Sequence, residues 1–186
     1  MSIGKGLAYV LSDGKPISGL SSSFEFIGRK SIFGIPVPIL IMAVIVIFTW
    51  ILMNKRIFGK HVYAIGGNET AARVSGIHVD RIKMLVYTFA GTMAGLGGTV
   101  LAARIATGHP NSGSGYEMDA ITAAVIGGAS LSGGVGTIGG TIIGALIMGV
   151  LTNGLDLLGV SSYYQQIAKG LIIIAAVLMD KKTTKS

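Results

Sequence analysis

No cysteine occurs in the chain, and that absence removes disulfide frameworks, thiolate nucleophiles and cysteine-containing metal sites. Charge is almost as scarce: Asp, Glu, Lys and Arg make up 12% of the sequence, against about 25% in a typical soluble domain. No GxxxxGKS or GxxxxGKT loop is present, so this chain offers no cradle of its own for ATP phosphates. His61, His78 and His109 are dispersed and none belongs to an HExxH pair, so they read as interface or solvated residues. Glu117 and Asp119 lack a second acid in a matching cleft and read as outer-surface capping or partner contact. No catalytic residue, metal site or cofactor site is expected.

What the chain has in plenty is apolar surface and glycine. Hydrophobic residues make up 51%, glycine occurs 29 times and mean hydropathy is +0.70, which together describe a protein solvated by lipid. Small residues suit that setting, because membrane helices associate by close backbone packing rather than by expelling water. The formal net charge of +7 does not point to nucleic acid. Its basic residues cluster beside apolar runs, with no aromatic or Arg-rich binding stripe.

Ile35 to Met53 is the clearest membrane span, with Pro36 and Pro38 expected in its first turn and Trp50 near its far interface. Residues 54–83 then carry Lys55, Arg56, Lys60, Arg73, Arg81 and Lys83, a cluster that the positive-inside rule places in the cytoplasm. Met84 to Ala103 forms a second span and delivers Arg104 to Asp119 outside. Ala120 to Leu131 is apolar but short; it is expected to cross, since turning back would strand Lys181, Lys182 and Lys185 outside. Ser132 to Thr137 then lies inside, Ile138 to Leu158 runs outward, and Tyr163 to Met179 returns after a turn at Gly159 to Ser162. Ile3 to Leu11 is too short to cross alone and reads as the tail of an earlier span. The expected fold class is all-α: a polytopic transmembrane helical bundle of about five membrane segments plus a truncated N-terminal one. It forms a single domain over 1–186.

Gly136, Gly140 and Gly144 recur at fourfold spacing on the fourth segment, and Gly91 with Gly95 on the second, which predicts close helix crossings. Gly134-Val135-Gly136-Thr137-Ile138-Gly139 also matches the dinucleotide pattern GxGxxG. Its flanks are membrane segments rather than a strand-turn-helix unit, so no cofactor is expected there. The spans hold no ionisable group near the midplane, as an ion-driven carrier would need. Asp156 and Lys169 come nearest, and read as snorkelling or neutralising one another across adjacent helices. Energy for any transport would then come from a partner.

Between the first two spans lies a polar island, Gly66 to Ile77. Asn68 suits a helix N-cap, Glu69 complements the positive end of the helix dipole, and Gly76 suits a left-handed stop. Ala71, Ala72 and Ser75 are small enough to let a partner approach the backbone, while Arg73 is free to reach toward it. A short, exposed, capped helix on the cytoplasmic side is a docking element.

The residues 59–69 (GKHVYAIGGNE), Ala71-Ala72, Ser75-Gly76-Ile77, Ala129-Ser130-Leu131-Ser132-Gly133-Gly134 and Asn153-Gly154-Leu155 strongly resemble the monosaccharide permeases of bacterial ATP-binding-cassette importers, of the ribose, xylose, arabinose and galactose type. The resemblance covers nearly the whole chain and includes 14–19 (GKPISG) and 35–38 (IPVP). It implies a multi-pass permease of the cytoplasmic (inner) membrane, paired with a second permease copy, in contact with membrane lipid and importing a monosaccharide, with ribose the expected cargo. ATP and Mg would sit on a separate ATPase subunit docked inside, and a periplasmic or lipid-anchored sugar-binding protein would deliver substrate from outside. Residues 54–83 would then be the cytoplasmic coupling loop, with Asn68, Glu69, Ala71, Ala72, Arg73, Ser75 and Gly76 coupling to the ATPase. Members of that family are longer, which implies that this chain is the C-terminal part of a permease.

Thr122, Ser130, Thr141, Thr152 and Asn153 are the candidate pathway residues for a hydroxyl-rich cargo, and each is equally suited to bonding helix to helix. A secondary sugar carrier or channel that needs no ATPase, and a non-transporting scaffold, are the alternative functions.

Overall fold

A computed structural model describes residues 2–183; Lys185 of the expected basic tail lies outside them. The described chain is helical throughout, with nine helices and four strands of two residues each. Three helices are long and apolar enough to cross a membrane: α3 (Val37–Asn54), α6 (Val79–Ile105) and α8 (Ile138–Leu157). They answer to the first, second and fourth expected spans. Pro38 stands in the first turn of α3, where its missing N–H costs no helical hydrogen bond. Pro36 falls outside the helix, in a strand. α9 (Ser162–Thr183) has the length to cross, but Gln165, Gln166 and Lys169 lower its apolarity.

The third expected segment, Ala120 to Leu131, is helical only as far as Ile126. α7 (Tyr116–Ile126) has 11 residues, about 16 Å of helix and roughly half the hydrocarbon thickness. Gly127 and Gly128 stop it: Gly128 takes φ +84, and its N–H closes the last turn onto Val125 O. The apolar stretch after Ile126 is irregular.

Two compact units divide the chain. The first comprises Met1–Ile51 and Lys83–Ser114. In it α1 (Ser2–Ser12) leads to β1 (Ile17–Ser18), which pairs antiparallel with β4 (Thr107–Gly108). α2 (Ser22–Arg29), absent from the sequence expectations, lays Gly28 on the backbone of Ala103 and Arg104, where a Cβ would have no room. Arg29 Nε donates to Arg104 O at 3.2 Å beside that contact. A hairpin of β2 (Ser31–Ile32) and β3 (Ile35–Pro36) turns on Phe33 and Gly34, both at positive φ.

The second unit comprises Leu52–Ile82 and Gly115–Ser186. It holds α4 (Ile57–Gly67) and α5 (Glu69–Val74), so the 54–83 segment carries a helix before the expected capped one. α7 packs on both α8 and α9. The α7–α8 seam is made by backbone: a Cβ at Gly144 would strike Ala123 O, and one at Gly140 would strike Gly127 O. Ala123, Thr122 and Met148 are buried around it.

Candidate functional site

α5 is short, only 6 residues, and its stability comes from its ends. Asn68 is the N-cap, its Oδ1 accepting from Ala71 N at 2.9 Å. At the other end Gly76 takes φ +85; its N–H reaches Arg73 O and that of Ile77 reaches Ala72 O, both at 3.1 Å. Both caps are those read from the sequence, and each satisfies backbone groups a short helix would leave open.

Two side chains of α5 differ from expectation. Ala72 is 5% exposed, packed within its own chain rather than offered to a partner. Arg73 is not free. Its guanidinium forks onto Asp80 of α6, with Nη1 3.2 Å from Oδ2 and Nη2 3.1 Å from Oδ1, and Nη2 lies 3.5 Å from Glu69 Oε1. Hydrogen bonding to Asp80, then its charge and that of Glu69, raise the Arg73 pKa beyond its ordinary high value. The clamp spans the turn from α5 to α6, joining residues of two separate helices. Beneath it a groove of about 530 Å³ is lined by Arg73, Gly76, Asp80 and Arg81, among others. Glu69, Ala71, Ser75 and Gly76 line the remaining surface of the segment. Val74, not singled out from the sequence, is 85% exposed at its end.

The loop after α7 lies against the start of this element. Cβ atoms built at Gly133 and Gly134 would come within 2.6 Å of Gly66 O and 2.8 Å of Gly67 Cα. Tyr63 of α4 donates its phenol hydrogen to Gly136 O at 2.9 Å. The GxGxxG pattern therefore faces another stretch of protein backbone, on the same side of this unit as α5. That is consistent with the expectation that 132–137 and the polar island lie on one side of the membrane.

The ionisable groups pair differently from expectation. Lys169 Nζ lies 2.6 Å from Asp119 Oδ1, joining α9 to α7, with both side chains mostly covered. Asp156 instead accepts from Gln165 Nε2 at 2.7 Å, and Gln165 also reaches Val160 O at 2.9 Å. Lys169 is thus neutralised across helices, but by Asp119 rather than Asp156, and Asp119 serves an internal ion pair rather than a surface cap.

Three of the five pathway candidates use their hydroxyls locally. Thr122 Oγ1 donates to Met118 O at 2.6 Å, Thr141 Oγ1 to Thr137 O at 3.1 Å, and Ser130 Oγ accepts from Ser132 N at 3.1 Å. Thr152 falls on the α8 face that carries Thr141, Gly144 and Met148, partly covered, and Asn153 is exposed. No group of His, Asp and Glu among the described residues is arranged to hold a metal.

Three helices long and apolar enough to cross a bilayer mark an integral membrane protein. A family model described as "Branched-chain amino acid transport system / permease component" matches residues 2–177, and the chain belongs to that family. It is 50% identical over 184 residues to the ribose import permease protein of Bacillus subtilis, covering 98% of this chain and 57% of that protein. The L-arabinose transport system permease protein of Escherichia coli is 40% identical over 186 residues, covering 100% of this chain and 57% of its own length. The xylose transport system permease protein of Haemophilus influenzae is 47% identical over 152 residues, covering 82% and 40% respectively. The chain therefore spans 57% of the length of the first two relatives and matches 40% of the third. No solved structure matches it.

Proposed function

We propose that the chain is a membrane-spanning part of the permease subunit of an ATP-binding-cassette importer that brings a monosaccharide, ribose, across the bacterial cytoplasmic membrane. The observation that carries this reading is the identity to ribose import permeases along nearly the whole chain. α5 supports the division of labour. A helix capped at both ends and clamped to the next by Arg73 and Asp80 is a stiff handle, suited to receiving a push from an ATPase. The permease then rocks between inward- and outward-facing states. A second permease copy completes the pathway, and a sugar-binding protein supplies cargo from outside. Asn153, exposed on α8, is the pathway candidate best placed to meet the sugar.

Ribose uptake into vesicles carrying the whole transporter tests the reading. Uptake that requires both the ATPase and ATP is expected; equal uptake without ATP would mark a secondary carrier or channel. Glu69→Lys sets a positive charge beside Arg73 at the start of α5, and is expected to reduce both ATPase co-purification and uptake.

A further inference from the structure

The GxGxxG segment takes no part in the function proposed above, yet its first half lies in close backbone contact with the end of α4. Gly66 and Gly67 end α4, immediately before the Asn68 cap. Gly133 and Gly134 lie on them backbone to backbone, in both directions: a Cβ at Gly66 would strike Gly134 N, and one at Gly133 would fall 2.6 Å from Gly66 O. Tyr63 fastens the contact from one turn earlier through its hydrogen bond to Gly136 O. The loop is stiff, since Ser130 N donates to Val135 O at 3.0 Å and Gly133 N to Ser130 O at 3.2 Å. One residue beyond Gly136, Thr137 caps α8 by accepting from Gly140 N at 3.0 Å, and Gly140 rests on the end of α7 at Gly127.

We infer that Tyr63, Gly66, Gly133, Gly134 and Gly136 form a relay that carries displacement of α5 to the paired ends of α7 and α8. This rests on the permease reading and names the positioning residues that reading needs. Side chains between two elements yield by changing rotamer; backbone against backbone has no such slack, so a shift of α4 must move the loop. Glycine is required at the contact because any Cβ would hold the two elements apart. Gly134 and Gly136, the first half of the pattern that resembles a nucleotide loop, thus serve with Gly133 as a mechanical bearing.

The test measures ribose moved per ATP hydrolysed by the complete transporter in vesicles, with ATPase co-purification alongside. Tyr63→Phe, which keeps the ring and loses only the hydrogen bond, is expected to lower that ratio about fivefold. Gly133→Ala is expected to lower it about tenfold or more, adding a clash to a position at φ +93. Gly139→Ala, in the same motif but with nothing within 4 Å of the added carbon, is expected to stay within about twofold. ATPase co-purification is expected to persist in all three, because α5 is untouched. An unchanged ratio in Tyr63→Phe and Gly133→Ala, or an equal fall in Gly139→Ala, would overturn the relay. Loss of ATPase binding together with the ratio would reduce the contact to a support of the fold and overturn it too. If the unaltered transporter shows no ATP-driven uptake, the permease reading itself fails.

Discussion

Two helices carry the same glycine spacing and meet opposite fates. On α8, Gly140 and Gly144 sit directly on the α7 backbone; on α6, Gly91, Gly95, Gly97 and Gly98 have nothing within 4 Å. The pattern therefore records a capacity for close approach without specifying what approaches. α8 finds its partner in a helix nearby in sequence, whereas no described residue covers the α6 stripe.

Leucine substitutions at matched positions sharpen that contrast most. Gly144→Leu must force α7 from α8 and is expected to cost about 3 kcal/mol, read from thermal unfolding in detergent. Gly95→Leu is expected to change the stability of this chain by less than about 0.5 kcal/mol. Equal losses would break the comparison. The next effect concerns what else holds α7. Lys169→Ala leaves Asp119 largely covered without its cation, and about 2 kcal/mol is expected to be lost, the partial exposure reducing the value for a deeply buried pair. Most of it should return in the double variant with Asp119→Ala, and a loss exceeding that of Gly144→Leu would make charge rather than backbone contact the chief fastening. Asn68→Ala lies outside both glycine faces and is expected to cost about 1 kcal/mol, seen as faster hydrogen exchange at the Ala71 amide. Asp80→Asn should have only a slight effect in the same unfolding measurement, because the Arg73 fork is exposed.

The long spans were legible because length and apolarity are local properties: α3 and α8 begin and end within a few residues of the positions expected. So were the caps of α5, where Asn68 and Gly76 act through their immediate neighbours. Properties depending on distant partners were not. Nothing near Lys169 marks Asp119 rather than Asp156 as its counter-ion, since the choice follows from how α7 and α9 pack. Arg73 looked available because Asp80 reaches it only across the turn between α5 and α6. The end of α7 was not legible because Ala129 and Leu131 continue the apolar run beyond Gly128, whose left-handed conformation ends the helix. The contact of the GxGxxG segment with Gly66 could not be read from spacing.

The brevity of α7 has a consequence for solvation. Backbone that leaves a helix before the hydrocarbon has been traversed carries amide groups that lipid cannot satisfy. The irregular stretch from 127 to 137 closes several of these on itself and one through Tyr63. Acyl chains are excluded as its wrapping. Wherever this bend lies relative to the bilayer, other protein or water must surround it.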